Sequence, residues 1–198
     1  MVAYALDPAA KPLASMSERV IDAATRITAA EGWSAVTMSR LAQDVGVSRQ
    51  TVYNVVGSKE ELAKAVVLTE LGRFLSVVEN SFEEHTDSLV DAVRAATVGV
   101  LELAVDSRIL RSVVAATHGS DTDLLPLLTT HAGPLLAQTR AVVAHGLRHY
   151  QTPLTGGQIG IAIDTVVRLV LSHAMQPSGS PEDVADELAW ITGRIVGY

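Results

Sequence analysis

The sequence predicts an all-α protein in which a small N-terminal helix-turn-helix unit is followed by a longer helical body. Three observations lead there. Apolar residues recur at three- and four-residue spacing along most of the chain, and no strand-like alternation of apolar and polar residues is sustained anywhere. Residues 37–62, TMSRLAQDVGVSRQTVYNVVGSKEEL, contain two short periodic segments reversed at Gly46 and a third that starts at Ser58. Near the end, Ile159, Ile163, Val166 and Val170, then Val184, Leu188, Ile191 and Ile195, repeat the spacing i, i+4, i+7, i+11 of a helix-packing seam.

Residues 1–16 hold Pro8 and Pro12 with Lys11 as their one cation, which predicts a loose arm with too little charge to follow a DNA groove. From Ser17, read as an N-cap with Glu18 in the first turn, a helix places Val20, Ala24 and Ile27 on one face and stops at Gly32. Trp33 is read as core. Thr37 caps the second helix, whose Met38, Leu41, Ala42 and Val45 face inward. Gly46 reverses the chain, and Ser48 offers its side-chain oxygen to the free amides of the third helix. That helix turns Val47, Val52 and Val55 or Val56 inward and exposes Arg49, Gln50, Thr51 and Asn54, which suit base edges and phosphates in a major groove. Ser58 and Glu61 stand three apart as a capping box for a fourth helix that carries Leu62, Val66, Leu68, Leu71, Leu75, Val78 and Phe82 past residue 80. The expected division is an arm at 1–16, a DNA-binding unit at 17–63, and a body at 64–198.

In the body, Leu89, Val93, Ala96, Val100 and Leu103 form one stripe, and Ile109, Leu110, Val113 and Val114 a shorter one. His118-Gly119-Ser120-Asp121 predicts a break, and Gly133-Pro134 the start of a helix that reaches about Tyr150. The run at 152–157 is the next loop, and Pro181 suits the first position of the last helix. Two copies of the final helix pair would make a four-helix dimer interface. The alternative is that both stripes close the protomer's own core.

Of 198 residues 48% are hydrophobic and 19% charged, the balance of a globular chain. No cysteine occurs, which removes disulfides and thiolate sites and suits a reducing cytoplasm. No signal peptide is expected, since Asp7 and Pro8 interrupt the apolar start, and no run reaches the roughly 18 uninterrupted apolar residues of a membrane helix. The net charge of −7 argues against nucleic acid until its distribution is read. Residues 1–64 hold seven Lys or Arg against seven Asp or Glu; residues 65–198 hold eight against fifteen. All the excess acidity is in the body, which leaves Arg40, Arg49 and Lys59 free to track phosphates.

The segment from Arg19 to Leu62, with Ala23-Ala24, Gly32, Thr37, Leu41-Ala42, Gly46-Val47-Ser48, Thr51-Val52-Tyr53 and Ser58-Lys59-Glu60-Glu61-Leu62, closely resembles the N-terminal domain of TetR-type transcriptional regulators. That resemblance implies a nine-helix homodimer in which helices 1–3 bind DNA, helix 4 links, and helices 8 and 9 dimerise. It implies phosphate contacts for Thr37, Ser39, Tyr53 and Lys59, base reading for Arg49, Gln50 and Asn54, and a base methyl or backbone contact for Thr51. Arg40 and Ser48 complete the DNA-facing set. The chain departs from the family at Val55-Val56, where an aromatic or His followed by Phe is usual. A smaller plug and one lost backbone contact follow from that.

His145 and His149 have the spacing of a two-histidine metal face but lack a third ligand in sequence, so a hydrogen-bonding pair is expected and no metal or cofactor is assigned. Asp164 and Arg168 read as an ion pair, with Arg168 meeting an effector carboxylate as the alternative. No nucleophile motif is present, and an enzyme is not expected. Aromatic residues beyond residue 64 are few, which favours an aliphatic pocket, with Phe74, Thr97, His118, Arg168 and Met175 as candidate wall residues. The expectation is a cytoplasmic, ligand-responsive repressor that binds a palindromic operator as a homodimer and is released by a small apolar effector, with no membrane partner. Alternatives are an activator, or a ligand-binding module with weakened DNA binding.

Overall fold

A computed structural model describes residues 15–115 and 133–197, the side chains of 112–115 excepted, and the described residues are helical with no strand. The chain enters α1 (Met16–Glu31) through a capping box: the Ser15 hydroxyl accepts from the Glu18 N–H, and the Glu18 carboxylate accepts from the Ser15 N–H at 2.6 Å. The expected cap, Ser17, is displaced because only Ser15 has a carboxylate three residues on to return the bond. A short 3-10 turn, Trp33–Ala35, carries Trp33 into the core.

Then α2 (Met38–Val45) and α3 (Arg49–Val56) form the helix-turn-helix, capped by Thr37 and Ser48. Gly46 between them has φ 76°. A Cβ there would meet nothing within 4 Å, so the backbone conformation and not space is what asks for glycine. Val20, Ala23, Leu41, Trp33 and Val52 meet in one buried cluster, which fixes α3 against α1 and α2 and leaves its other face in solvent.

The 26-residue α4 (Lys59–Glu84) belongs to both halves. Its Leu62, Ala63, Val66 and Val67 join the N-terminal cluster, and its Val78 and Phe82 join a second cluster with Leu89, Ala92 and Ala96. The body consists of α5 (Leu89–Asp106), α6 (Arg108–Ala115), α7 (Gly133–Gly146), α8 (Gly156–Met175) and α9 (Pro181–Val196), making nine α-helices among the described residues. Helix α9 lies along α5, α5 also packs on α4, and α7 bridges α4 and α8. Helix α6 turns back onto α1, so Ile109 is buried in the N-terminal cluster. After α7, a 3-10 turn at Leu147–His149 leads to Tyr150, whose hydroxyl donates to the carbonyls of Phe82 and His85 at the end of α4.

Two expectations are corrected here. Helix α7 ends at Gly146, so His145 and His149 do not share one helix face. The stripes on α8 and α9 do not point away from the protomer. Ile163, Val184 and Leu188 are buried within it, Ile159, Val166, Val170 and Ile195 line an internal cavity, and Ile191 packs with Leu101, Val184 and Leu188. An apolar stripe seeks the nearest apolar surface, and α5 with the cavity supplies one inside the chain. The opposite face is the free one: Ile161 on α8 is 70% exposed and Trp190 on α9 is 65% exposed. Arginine 168 pairs with Asp164 in the same helix at 3.0 Å, and Arg140 from α7 joins that carboxylate.

Candidate DNA-reading face and ligand cavity

The solvent face of α3 carries Arg49, Gln50, Tyr53 and Asn54, all exposed, with Thr51 partly covered. Ser48 accepts from the Thr51 amide at 3.0 Å and its hydroxyl meets that of Thr51 at 2.8 Å, so both hydroxyls are held at the helix start. The Gln50 amide donates to Asn54 at 2.9 Å, which aligns two side chains with paired donors and acceptors along the groove-facing edge. The starts of α2 and α4 carry the other expected contacts. Thr37 is occupied in capping Arg40, Ser39 is exposed beside it, and Lys59 at the start of α4 holds its ammonium 5.3 Å from the centre of the Trp33 ring. Amides at these helix N-termini favour anions, and the Lys59 charge adds to them.

Arg40 is paired within the protomer. Its guanidinium makes a two-pronged pair with Glu31, which raises the arginine's pKa and lowers the glutamate's, chiefly through the side-chain hydrogen bond. It is a neutralised tie between α1 and α2 and not a free cation. Two further ties escaped sequence reading: Arg26 pairs with Asp44 at 2.6 Å, and Arg19 donates to the Val45 carbonyl at 2.9 Å. The signal available for Arg26 and Asp44 was charge alone, since a separation of eighteen positions hides the contact. Val56 packs against the N-terminal cluster and Val55 is half-buried, so the Val55-Val56 pair serves as a compact apolar plug.

The body holds a cavity of ≈ 240 Å³ lined by residues of α4, α5, α6, α7, α8 and α9. Phe74 and Thr97 line it, as do Leu75, Val93, Leu136 and Val166. Arg168 does not; it is exposed and paired. Met175 borders a separate groove with Val105, Arg111 and Pro177, and His118, like His131, lies outside the described residues. The wall hydroxyls of Thr97, Thr139 and Thr192 donate to carbonyls four residues back in their own helices, so they offer no spare proton to the cavity. The volume is below the roughly 300–1,000 Å³ common for drug-sized pockets, which fits a slim aliphatic chain better than a fused-ring ligand.

Two wall residues reach beyond the cavity. Ile109 of α6 lines it and is also buried among the residues of α1 to α3, and Leu135 of α7 lines it and packs on the same cluster. Glu70 is the wall's one charged side chain among the described residues, a feature missed in sequence although it interrupts an apolar stripe, Val66 and Phe74 standing four residues to either side.

Comparison with known proteins gives the same two-part division. Residues 20–66 match the family described as bacterial regulatory proteins, tetR family, and residues 88–194 match the bacterial tetracyclin repressor C-terminal domain. The chain is 29% identical over 177 residues to the HTH-type transcriptional regulator AlkX of Mycobacterium tuberculosis, an alignment that covers 89% of this chain and 82% of that one. Among solved structures it is similar to the TetR family repressor AlkX from Dietzia sp., implicated in biodegradation of n-alkanes. That match has a TM-score of 0.75 at 28% identity and covers 92% of this chain and 96% of the other. Similarity to FadR of Bacillus subtilis, solved with stearoyl-CoA, is one of fold, with TM-score 0.57 and 15% identity over 90% of this chain and 96% of that one. The helix-turn-helix, the ligand-sized cavity behind it and both family matches lead to one conclusion: the chain belongs to the TetR family of transcriptional regulators.

Proposed function

We propose that the protein is a repressor that binds a palindromic operator as a homodimer and lets go when a small aliphatic molecule fills the cavity. The observation that carries this reading is Ile109, one side chain shared between the cavity wall and the core beneath the recognition helix. A ligand that favours a different position of α6 alters the seat of α1 to α3, and its differential affinity for the two arrangements is the coupling energy. The description of the Dietzia relative, a repressor implicated in n-alkane biodegradation, supports both the sign of control and the aliphatic chemistry.

In this reading residues 17–63 bind DNA and residues 64–198 bind effector and dimerise. Arg49, Gln50 and Asn54 read bases, while Ser39, Tyr53 and Lys59 hold phosphates. Dimerisation uses the free faces of α8 and α9 around Ile161 and Trp190. By length and composition α8 is apolar enough to cross a membrane, yet Asp164 at its middle is ion-paired to Arg140 and Arg168 and one of its faces lines the cavity. A partner subunit covering the rest accounts for the remaining apolar surface. Two recognition helices then meet successive major grooves about 34–36 Å apart.

The test is binding to DNA from upstream of the protein's own gene, followed by fluorescence anisotropy at two salt concentrations. Sequence-selective, salt-sensitive binding that is lost in a folded variant carrying Gln50→Ala and Tyr53→Ala is expected. Unchanged affinity in that variant contradicts the DNA-reading assignment.

A further inference from the structure

Glu70 is 6% exposed, on the wall of a cavity whose other described lining residues are apolar side chains and threonines. Burying a carboxylate costs several kcal/mol unless it is paired, so its partners decide what it does there. One oxygen accepts from the Ser107 hydroxyl at 2.6 Å, and the other from the Arg73 guanidinium at 3.1 Å. The Arg73 side chain is 61% exposed, so the countercharge approaches from solvent. A carboxylate has about four acceptor positions, and two are filled. Glu70 is therefore a cavity-lining carboxylate with acceptor capacity beyond these two bonds, while the hydroxyls of Thr97, Thr139 and Thr192 are turned to their own helices.

Ser107 is the joint between α5 and α6. Its N–H donates to the Leu103 carbonyl at 2.9 Å, and its hydroxyl oxygen accepts from the Leu110 N–H at 3.0 Å. Glu70 thus ties α4 to the cap of α6, two residues before Ile109. We infer that Glu70 is the head-group site of the cavity: it selects an aliphatic ligand ending in an uncharged hydrogen-bond donor, such as a primary alcohol, and the donor takes over the oxygen held by Ser107. An ether of the same shape has no proton to give, and an ionised carboxylate would add a like charge beside Glu70. Losing its anchor, Ser107 no longer holds α6 to α4, and Ile109 loosens in the core beneath α3. Glu70 is the recognition residue and Ser107 the positioning residue. The inference rests on the proposal that this cavity is the effector site.

The experiment uses the full-length protein with 1-dodecanol and methyl undecyl ether, molecules of equal heavy-atom number that differ in the donor. Affinity is measured by calorimetry, and amide exchange of α1 to α3 by mass spectrometry. Because a hydrogen bond to a charged group contributes about 1.5–3 kcal/mol, the alcohol is expected to bind at least about tenfold more tightly than the ether. In Glu70→Gln, with helicity checked by circular dichroism, that ratio is expected to fall to roughly threefold or less, as befits a neutral acceptor. In Ser107→Ala the alcohol binds at least as tightly as in wild type, yet the faster exchange it causes in α1 to α3 is lost. A merely structural serine would weaken binding and response together. Equal binding of alcohol and ether in wild type, an unchanged ratio in Glu70→Gln, or an intact exchange response in Ser107→Ala each overturns the head-group inference alone. Failure of both molecules to bind overturns the effector-cavity reading and the inference with it.

Discussion

The Gln50 side-chain amide donates to the Asn54 carbonyl oxygen at 2.9 Å, one turn along the exposed edge of α3. The pair holds both amides in a fixed plane before DNA arrives, so less side-chain freedom is lost on binding. Replacing Gln50 by Ala removes a direct reader and the support for its neighbour. The expected result is a loss of about 1–3 kcal/mol, concentrated at one or two base positions of each half-site and visible in binding to an operator series mutated base by base.

Lys59 acts differently, because its ammonium lies over the Trp33 ring at the start of α4 and faces no base edge in this reading. Lys59→Ala should weaken all DNA sequences alike and lower the slope of log affinity against log salt by about 1. A sequence-dependent loss in that titration would move Lys59 from phosphate to base recognition.

Gly146 of α7 crosses α4 so closely that a Cβ would come within 2.6 Å of the Phe82 ring, and Phe82 is buried. Gly146→Ala is expected to destabilise the fold by about 1–3 kcal/mol in urea denaturation, the usual cost of overpacking. Gly72, in the interior of α4 with nothing within 4 Å of its would-be Cβ, serves as the opposite case. Gly72→Ala should stabilise by roughly 0.5–1 kcal/mol.

Asp164 joins Arg140 of α7 to Arg168 of α8, and those hydrogen bonds, Arg140's first, hold its carboxyl below the usual aspartate range. A depressed folded-state pKa contributes stability that is complete above the unfolded value and fades as pH falls through the folded one. Asp164→Asn should therefore differ most from wild type at neutral pH and converge with it below about pH 4, in thermal melts taken across that range.

The dimer face is tested by charge. Ile161→Glu with Trp190→Ala leaves the cavity wall untouched, since both side chains point to solvent in the protomer. Light scattering should give the mass of one chain with helicity retained, whereas persistence of a dimer would place the interface elsewhere.

The DNA-reading half was legible in sequence because its determinants are local. Thr37, Gly46, Ser48 and the Ser58–Glu61 box each act within three or four residues, and each lies where the caps and turn require. Ser15 was missed for the opposite reason: two serines stand two apart, and only the returning bond from Glu18 separates them. In the body the helical period was legible but its direction was not. An i, i+4, i+7 stripe states that a face is buried and is silent on what buries it, and α8 carries Ile159 and Ile163 on one face with Ile161 on another. Phe74 and Thr97 line the cavity, whereas Arg168 is drawn away by Asp164 at one helical turn. The Glu70 to Ser107 bond spans 37 residues and two helices, and no local rule reaches it.

In the proposed mechanism, occupancy of the cavity controls DNA binding through α6. Its most direct measurement is the anisotropy of labelled operator DNA titrated with the protein, with and without 1-dodecanol, in wild type and in Ala96→Phe, which fills the cavity beside Val93. The alcohol is expected to weaken wild-type binding at least about fivefold, the lower end of common allosteric coupling, and to leave the filled variant unaffected. Operator affinity that is the same with and without the alcohol in wild type, while calorimetry shows the cavity occupied, would contradict it.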